Sequence, residues 1–258
     1  MSPRRDELAA RLREVRERIA RACDAANRDA EGVTLIVVTK FFPATDVADL
    51  RELGVSDIGE SRDQEARAKL ADPVLAGGVP TCHFIGQVQT NKAASICDYA
   101  QVVHTVDRPK LGAALARAAD ARGRQLRVLL QLDLDPHLDR STQLDQPGQP
   151  GQPGQSGQDA PHQGRGGVAP GDLAQLATAT AAHPSLVLGG VMAVAPRFGD
   201  PDAAFARLAE AATGIRRSYP GADWVSAGMS GDLEAALRHG ATHLRVGSAI
   251  LGTRPALR

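Results

Sequence analysis

The sequence has little of what marks several classes of protein. Its three cysteines, Cys23, Cys82 and Cys97, are odd in number and lack metal-binding spacing, which favours a reducing cytoplasm over a disulfide scaffold. Thirty basic residues balance thirty acidic ones, so no net charge draws the chain to nucleic acid or to an anionic membrane. One Trp, two Tyr and five Phe offer few rings on which bases could stack. With no signal core and no run long enough to span a bilayer, we expect a cytoplasmic protein.

The apolar content is that of a globular protein, at 43 % of 258 residues, enough for one large domain or two small ones. The first segment predicts a helix over residues 4–28, with Ser2 and Pro3 as a cap and first-turn pair. Apolar residues recur along this helix at steps of three and four: Leu8, Leu12, Val15, Ile19 and Cys23.

Apolar runs and helical patterns then alternate. The predicted strands are residues 33–39, 56–59, 82–85, 101–106, 126–134, 186–194, 223–227 and 243–247. Helical patterns such as 108–122 and 201–218 lie between them. Eight such units in about 215 residues predict a single α/β domain over residues 1–258, a (β/α)₈ TIM barrel with an extra N-terminal helix. A doubly wound open sheet is the structural alternative.

One segment breaks this alternation. Residues 146–158, QPGQPGQPGQSGQ, repeat a glycine every third position but have too few repeats for a collagen helix. Without apolar residues the segment cannot offset the entropy of ordering, so we predict a flexible loop insertion over residues 138–164. It is either a lid over the catalytic face of the barrel or a loop expansion without function.

Lys40 ends the apolar run of the first predicted strand, VTLIVVT. A lysine at the carboxyl end of a barrel strand points into the mouth of the barrel, where active sites of this fold lie. Partial burial lowers the pKa of an ammonium group, and the neutral amine attacks an aldehyde to give a Schiff base. The alternative is a rim lysine whose stem packs on the barrel while its charge stays in water.

Two Gly-rich turns follow the last two predicted strands, in SAGMSGDLEAAL (226–237) and RVGSAILGTR (245–254). Small residues let backbone N–H groups approach an oxyanion closely, and a helix N-terminus favours negative charge. Phosphate sites of barrels are often built from the loops after strands 7 and 8. Each turn alone is more typical of plain turn chemistry. Together with Lys40 they indicate a phosphorylated carbonyl compound, and pyridoxal 5′-phosphate is the obvious candidate.

Arg245 lies in the last predicted strand, two residues before Gly247. A permanently charged guanidinium beside the pyridine nitrogen disfavours protonation of that nitrogen and weakens the cofactor as an electron sink. This suits a carrier or a racemase better than a transaminase. The alternative is an arginine paired with a carboxylate at a strand end.

Eight stretches carry a resemblance to a known family. In order, the pyridoxal phosphate homeostasis protein family has motifs similar to VTLIVVTKFFPATDV, DIGESRDQEA, HFIGQVQTNK, HTVDRPKL, RGGV, GVMAVAP, SAGMSGDLEAAL and THLRVGSAILGTR. The resemblance covers nearly the whole chain apart from residues 138–164. It implies a single barrel like the N-terminal domain of bacterial alanine racemase. It also implies a protein that binds pyridoxal phosphate covalently and has no established catalytic turnover. It also implies buffering or delivery of the cofactor, with apo-forms of pyridoxal phosphate enzymes as partners, and we expect a monomer.

The resemblance assigns the cofactor site residue by residue. It makes Lys40 the Schiff-base lysine and Arg245 the residue facing the pyridine nitrogen. The other implied cofactor-binding residues are Ser61, Met192 and, in the phosphate turns, Ser230, Gly247 and Ser248. Ser61 is a departure, because the family motif has Asn there, and its contact near the ring is expected to be shorter or water-mediated. The Gln-Pro-Gly insert is the second departure, since the loop before RGGV is normally short.

Four further polar residues have a bland interpretation. His83 and His104 are strand histidines that we interpret as hydrogen-bonded rim residues, with a role as bases as the alternative. Asn91 and Lys92 begin a predicted helix, where a solvated helix start is favoured over an anion site.

Two functions of different class remain open. One is a non-catalytic carrier of pyridoxal phosphate, which we favour, and the other is a racemase or decarboxylase of the alanine-racemase type. Racemisation needs two bases on opposite faces of the α-carbon, and one lysine supplies only one. The two tyrosines, Tyr99 and Tyr219, fall in helical patterns away from the strand ends. A Schiff-base aldolase would need an acid–base pair beside Lys40, for which the sequence offers no candidate.

Overall fold

A computed structural model describes residues 2–135, 166–196 and 199–253 of the chain. The predicted insertion at 138–164 therefore lies outside the described residues. The strands are β1 (Thr34–Val38), β2 (Asp57–Glu60), β3 (Thr81–Phe84), β4 (Val102–Val106), β5 (Leu126–Gln131), β6 (Leu186–Met192), β7 (Trp224–Ser226) and β8 (His243–Val246). The α-helices are α1 (Pro3–Ala25), α2 (Ala44–Glu52), α3 (Asp63–Leu70), α4 (Ala93–Tyr99), α5 (Pro109–Asp120), α6 (Leu173–Ala181), α7 (Pro201–Ser218), α8 (Leu233–Arg238) and α9 (Ser248–Leu251).

The eight strands form a closed parallel barrel in the order of the sequence. Closure is made by β1, which pairs with β2 on one side and with β8 on the other, where Ile36 lies opposite Arg245. The predicted barrel is confirmed, and the open sheet is excluded because an open sheet would leave two strands unpaired on one side. Strand β5 ends at Gln131, three residues earlier than predicted, and Leu132 then pairs with Val168 in an isolated bridge.

Helix α1 forms where the sequence predicts a helix, but it ends at Ala25, three residues earlier than predicted. Ser2 is the N-cap, its Oγ accepts from the Arg5 amide at 3.2 Å, and Pro3 occupies the first turn. The whole predicted apolar stripe is buried, and the helix packs against α2, α8 and α9. Because α8 and α9 follow the last two strands, α1 lies beside the end of the barrel where the phosphate turns are predicted. Within the described ranges no helix is long and apolar enough to cross a membrane.

Strand β6 depends on one glycine. Gly190 has a φ of 145°, and a Cβ there would lie 2.0 Å from the carbonyl oxygen of Trp224 on β7. The register of β5 against β6 shifts at the same place, between Val128 and Leu129. A residue with a side chain would separate β6 from β7, so the close pairing requires glycine.

Candidate functional site

A cavity of about 840 Å³ opens at the carboxyl ends of β1 and β8. Five of the seven predicted cofactor-binding residues line it: Lys40, Ser230, Arg245, Gly247 and Ser248. The structure does not bring the other two to the same surface. Ser61 lines a different cavity of about 610 Å³ beside Lys92, and Met192 is buried at the end of β6.

Lys40 stands two residues beyond the last residue of β1 and is half-buried. The turn around it is tightly held on both sides. Thr39 donates from Oγ1 to Glu60 Oε1 at 2.6 Å, and the amide of Phe41 donates to Glu65. Phe41 has a φ of 72°, a left-handed conformation that is uncommon for a bulky residue and persists only where the surroundings impose it. These contacts therefore fix the direction in which the Lys40 side chain leaves the end of β1.

A buried ion pair lies next to this turn. Lys69 Nζ is 2.7 Å from Glu60 Oε1 and 3.1 Å from Glu65 Oε1. Burial raises the pKa of Glu60, while the nearby Lys69 opposes that rise. Glu60 is fully buried, and its second carboxylate oxygen, Oε2, has no hydrogen-bond partner in the described part of the chain. The pair therefore matters for how the Lys40 turn is held, and each partner is costly to remove alone.

The two predicted phosphate turns meet at their serines. Ser248 Oγ donates to Ser230 Oγ at 3.4 Å across the cavity wall. The turn that carries Ser230 is held by Asp232, whose Oδ1 accepts from the Met229 amide at 2.6 Å, and by Arg18, which donates to the Ser230 carbonyl at 2.7 Å. The helices that follow have only six and four residues. Few aligned peptides mean a small helix dipole, so the hydroxyls and turn amides are the main features here that suit a phosphate.

Arg245 is buried beneath the cavity at the end of β8. Its Nη1 donates to Ser226 Oγ at 2.5 Å and its Nη2 donates to the Ala193 carbonyl at 2.8 Å. Burial lowers the pKa of Arg245 to about 10, which leaves the guanidinium charged at neutral pH. In the described part of the chain its partners are a hydroxyl and a carbonyl oxygen, not the strand-end carboxylate that the sequence left open.

The interpretation of His83 and His104 as rim residues is wrong. Both are fully buried inside the barrel, each as the third residue of its strand. The expectation that they are hydrogen-bonded is confirmed, since His83 Nδ1 and His104 Nε2 lie 2.8 Å apart. Lys92 fits the favoured interpretation as a residue of a solvated helix start, because its ammonium is partly exposed and lies 3.6 Å from Asp63.

Sequence reasoning missed several of the lining residues. Among them, Arg11 and Glu14 reach the cavity from α1, and Met229 reaches it from the turn before α8. Arg11 lies over Gly252, where a Cβ would meet its Nη1 at 2.3 Å. The polar face of α1 carries no motif, so only the docking of α1 on α9 reveals this cation. Neither of the chain's two tyrosines lines the cavity.

Comparisons with known proteins agree with this barrel. The family model for the alanine racemase N-terminal domain matches residues 159–255. A pyridoxal phosphate homeostasis protein of Mycobacterium tuberculosis H37Rv is 39 % identical over 97 % of this chain and 94 % of its own. One from Escherichia coli K12 is 30 % identical, over 96 % of this chain and 97 % of its own. This chain belongs to the pyridoxal phosphate homeostasis protein family.

A solved structure gives the same result for the fold. PipY of Synechococcus elongatus, solved with pyridoxal phosphate bound, is 28 % identical to this chain with a TM-score of 0.72, and the match covers 95 % of this chain and all of PipY. The family predicted from the eight motifs is thus confirmed, as is the racemase-like barrel.

Proposed function

We propose that this protein binds pyridoxal 5′-phosphate in the cavity at the carboxyl end of the barrel, covalently through Lys40, and buffers or delivers the cofactor. The observation that carries the proposal is that a single cavity gathers Lys40, the paired serines Ser230 and Ser248, and the charged Arg245. The binding of pyridoxal phosphate by PipY and the names of the curated relatives support it.

The donor set suits the chemistry of this cofactor. Pyridoxal phosphate brings an aldehyde that condenses with an amine, a phosphate dianion and a basic ring nitrogen. Lys40 supplies the amine, and the Ser230 and Ser248 hydroxyls, with the amide-rich turn at Gly247, supply donors for the phosphate. At Gly247 a Cβ would lie 3.2 Å from the Val38 carbonyl oxygen, so a larger residue would press on β1 beside Lys40. The residues present therefore fit the cofactor.

Arg245 has the charge expected opposite the ring nitrogen. Its two fixed hydrogen bonds go to neutral groups, and its guanidinium stays charged at neutral pH. A cation facing a basic nitrogen disfavours its protonation. In this arrangement the protein would hold the cofactor in a form that is a poor electron sink, which suits a carrier or a racemase better than a transaminase.

A carrier is also favoured by what surrounds Lys40. A racemase needs a second base on the far side of the substrate, and neither Tyr99 nor Tyr219 lines the cavity. Tyr99 is instead turned to Asp63, and burial raises the pKa of its hydroxyl. A racemase or decarboxylase stays the alternative function.

Reductive trapping tests the proposal. The protein is mixed with pyridoxal phosphate, reduced with borohydride and digested, and the modified peptide is identified by mass spectrometry. We expect the label on Lys40, its loss in Lys40→Ala, and its retention in the control Lys92→Ala, whose lysine lines the neighbouring cavity. A label on Lys92 or Lys110 would overturn the assignment. Recovery of activity by an apoenzyme mixed with the loaded protein tests delivery separately.

A further inference from the structure

A line of five polar side chains crosses the interior of the barrel, one each from β2, β3, β4, β7 and β8. Asp57 Oδ1 lies 2.9 Å from His83 Nε2, and His83 Nδ1 lies 2.8 Å from His104 Nε2. His104 Nδ1 lies 2.9 Å from Ser226 Oγ, which accepts from Arg245 Nη1 at 2.5 Å. The three middle residues are fully buried. Barrel interiors are usually filled by branched apolar side chains, so this line needs a reason.

The chemistry of the two ends sets the direction of the line. An ionised Asp57 only accepts, so His83 must carry its proton on Nε2. If His83 is neutral, its Nδ1 accepts from His104 Nε2, and a neutral His104 in turn accepts from the Ser226 hydroxyl. The Ser226 oxygen is then left to accept from Arg245, which can only donate. With both imidazoles neutral, this is the one arrangement in which every contact is a hydrogen bond.

The surroundings favour a neutral His104. Burial, and then the neighbouring His83, Arg245 and His243, lower the pKa of His104 well below 6.5. Burial raises the pKa of Asp57, but the hydrogen bonds from His83 and Ser56, together with the electrostatic effects of His83 and His243, outweigh this and leave the pKa lowered, which favours an ionised Asp57. The competing arrangement places a cation on His83, which then donates from both ring nitrogens, and it reverses the tautomer of His104, so that Ser226 would accept from two donors.

We infer that Ser226, His104, His83 and Asp57 are positioning residues for Arg245, holding its guanidinium through a one-directional hydrogen-bond chain anchored on a carboxylate across the barrel. The inference rests on the proposed function in one respect, that Arg245 meets the ring of the cofactor. The chain gives Nη1 an acceptor without placing a negative charge beside the cavity. The guanidinium is thus fixed in place while its charge stays directed at the ligand.

The hydrogen-bond chain also connects the proposed cofactor cavity with a second cavity. Asp57 is the first residue of β2 and lines a separate cavity of about 440 Å³, with Arg16, Thr34 and other residues that do not contact the cofactor cavity. Its side chain is 17 % exposed. A change confined to Asp57 should therefore reach Arg245 through four hydrogen bonds, three of them buried, although no residue of the proposed cofactor site has been altered.

Nitrogen NMR on the cofactor-free protein tests the chain directly. With ¹⁵N-histidine labelling at neutral pH, we expect His83 and His104 to be neutral, each protonated on Nε2 and unprotonated on Nδ1. In Ser226→Ala the His104 Nδ1 signal should move toward that of a nitrogen that accepts no hydrogen bond, and the side-chain signal of Arg245 should shift. Asp57→Asn should weaken the tautomer preference of His83. The control is Ser185→Ala, another buried serine, which donates to the Ala116 carbonyl and lies outside the chain.

The outcomes separate this inference from the proposed function. A cationic His83, or an imidazole protonated on Nδ1 in the unaltered protein, overturns the chain even if Ser226→Ala fails to fold. An Arg245 signal that moves no more in Ser226→Ala than in Ser185→Ala also overturns it. With the cofactor bound, the absorbance maximum should shift in Ser226→Ala and Asp57→Asn but not in Ser185→Ala. A protein that takes up no pyridoxal phosphate overturns the proposed function alone, because the histidine and arginine signals are read without it.

Discussion

Lys69 donates a hydrogen bond of 2.8 Å from Nζ to the carbonyl oxygen of Thr39, the residue immediately before Lys40. The same ammonium is paired with the buried Glu60. On the other side of Lys40, the amide of Phe41 donates to Glu65. Helix α3, which carries Glu65 and Lys69, thus forms hydrogen bonds to the backbone on both sides of the proposed cofactor lysine. The strand brings Lys40 to the mouth of the barrel, and the helix sets its direction.

Replacing Lys69 should therefore cost much stability. Lys69→Met leaves the Glu60 carboxylate buried without its cation and frees the Thr39 carbonyl, so the unfolding free energy should fall by about 3–5 kcal/mol. Urea unfolding measures it, with the exposed Lys110→Met as the control. Adding Glu60→Gln to Lys69→Met should restore part of the loss. A Lys69→Met protein as stable as Lys110→Met would show that the pair does not hold the turn.

The serines of the two turns should act on the phosphate alone. Ser230→Ala removes a hydroxyl proposed to donate to a dianion, and a hydrogen bond to a charged group contributes about 1.5–3 kcal/mol. We expect affinity for pyridoxal phosphate to fall about tenfold or more, measured by equilibrium titration. Binding of pyridoxal, which lacks the phosphate, should be unchanged. An equal loss of affinity for both ligands would show that these turns do not bind the phosphate.

Arg11 should contribute a weaker, salt-dependent attraction. Its guanidinium lines the cavity from α1 but is partly exposed and is already paired with Glu7 at 2.7 Å. Arg11→Gln should reduce affinity for pyridoxal phosphate by about two- to fivefold at low salt, and the difference should shrink as salt is added. The matched control is Arg13→Gln, an exposed arginine of the same helix. Equal affinities for the two variants at low salt would exclude Arg11 from the phosphate site.

The positions of Lys40 and of the two turns could be predicted from the sequence, for physical reasons. Lys40 follows an apolar, β-branched run typical of a buried strand, and the place of the turns follows from the rule that barrel loops meet at one end. The line of polar side chains through His83 and His104 could not be predicted from the sequence in this way. Strand β4, VVHTV, is buried along its whole length, so it lacks the alternation that would tell which side chains face the interior. Arg11 was missed because its position depends on how α1 docks.

The buried histidines make stability depend on pH. Burial lowers the pKa of His243 to about 3, and that of His104 is also lowered. In the unfolded chain both titrate near pH 6.5. Between about pH 6 and pH 4 the unfolded state therefore binds more protons than the folded one, so the unfolding free energy falls as the pH falls, by up to about 1.4 kcal/mol per pH unit for each histidine.

Urea unfolding between pH 4.5 and pH 7.5 checks this slope. His243→Gln should lose stability less steeply on acidification, while the control His183→Gln, outside the barrel interior, should keep the full slope. Burial raises the pKa of Glu60, which acts in the opposite sense but equally in all three proteins. Identical slopes would show that His243 is protonated in the folded protein.

Exchange of the α-proton of amino acids decides between carrier and enzyme. The proposed site is one-sided: Lys40 stands at the ring, Ser230 and Ser248 at the phosphate, and no tyrosine lines the cavity. An amino acid can still take Lys40's place, but its α-carbon should gain deuterium from heavy water slowly and without loss of configuration, because a second base on the far side is lacking. Mass spectrometry follows the exchange, and chiral chromatography follows the configuration, with Lys40→Ala as the blank. Rapid exchange with racemisation would reveal a second base and establish the racemase function, because one lysine reaches only one face of the α-carbon.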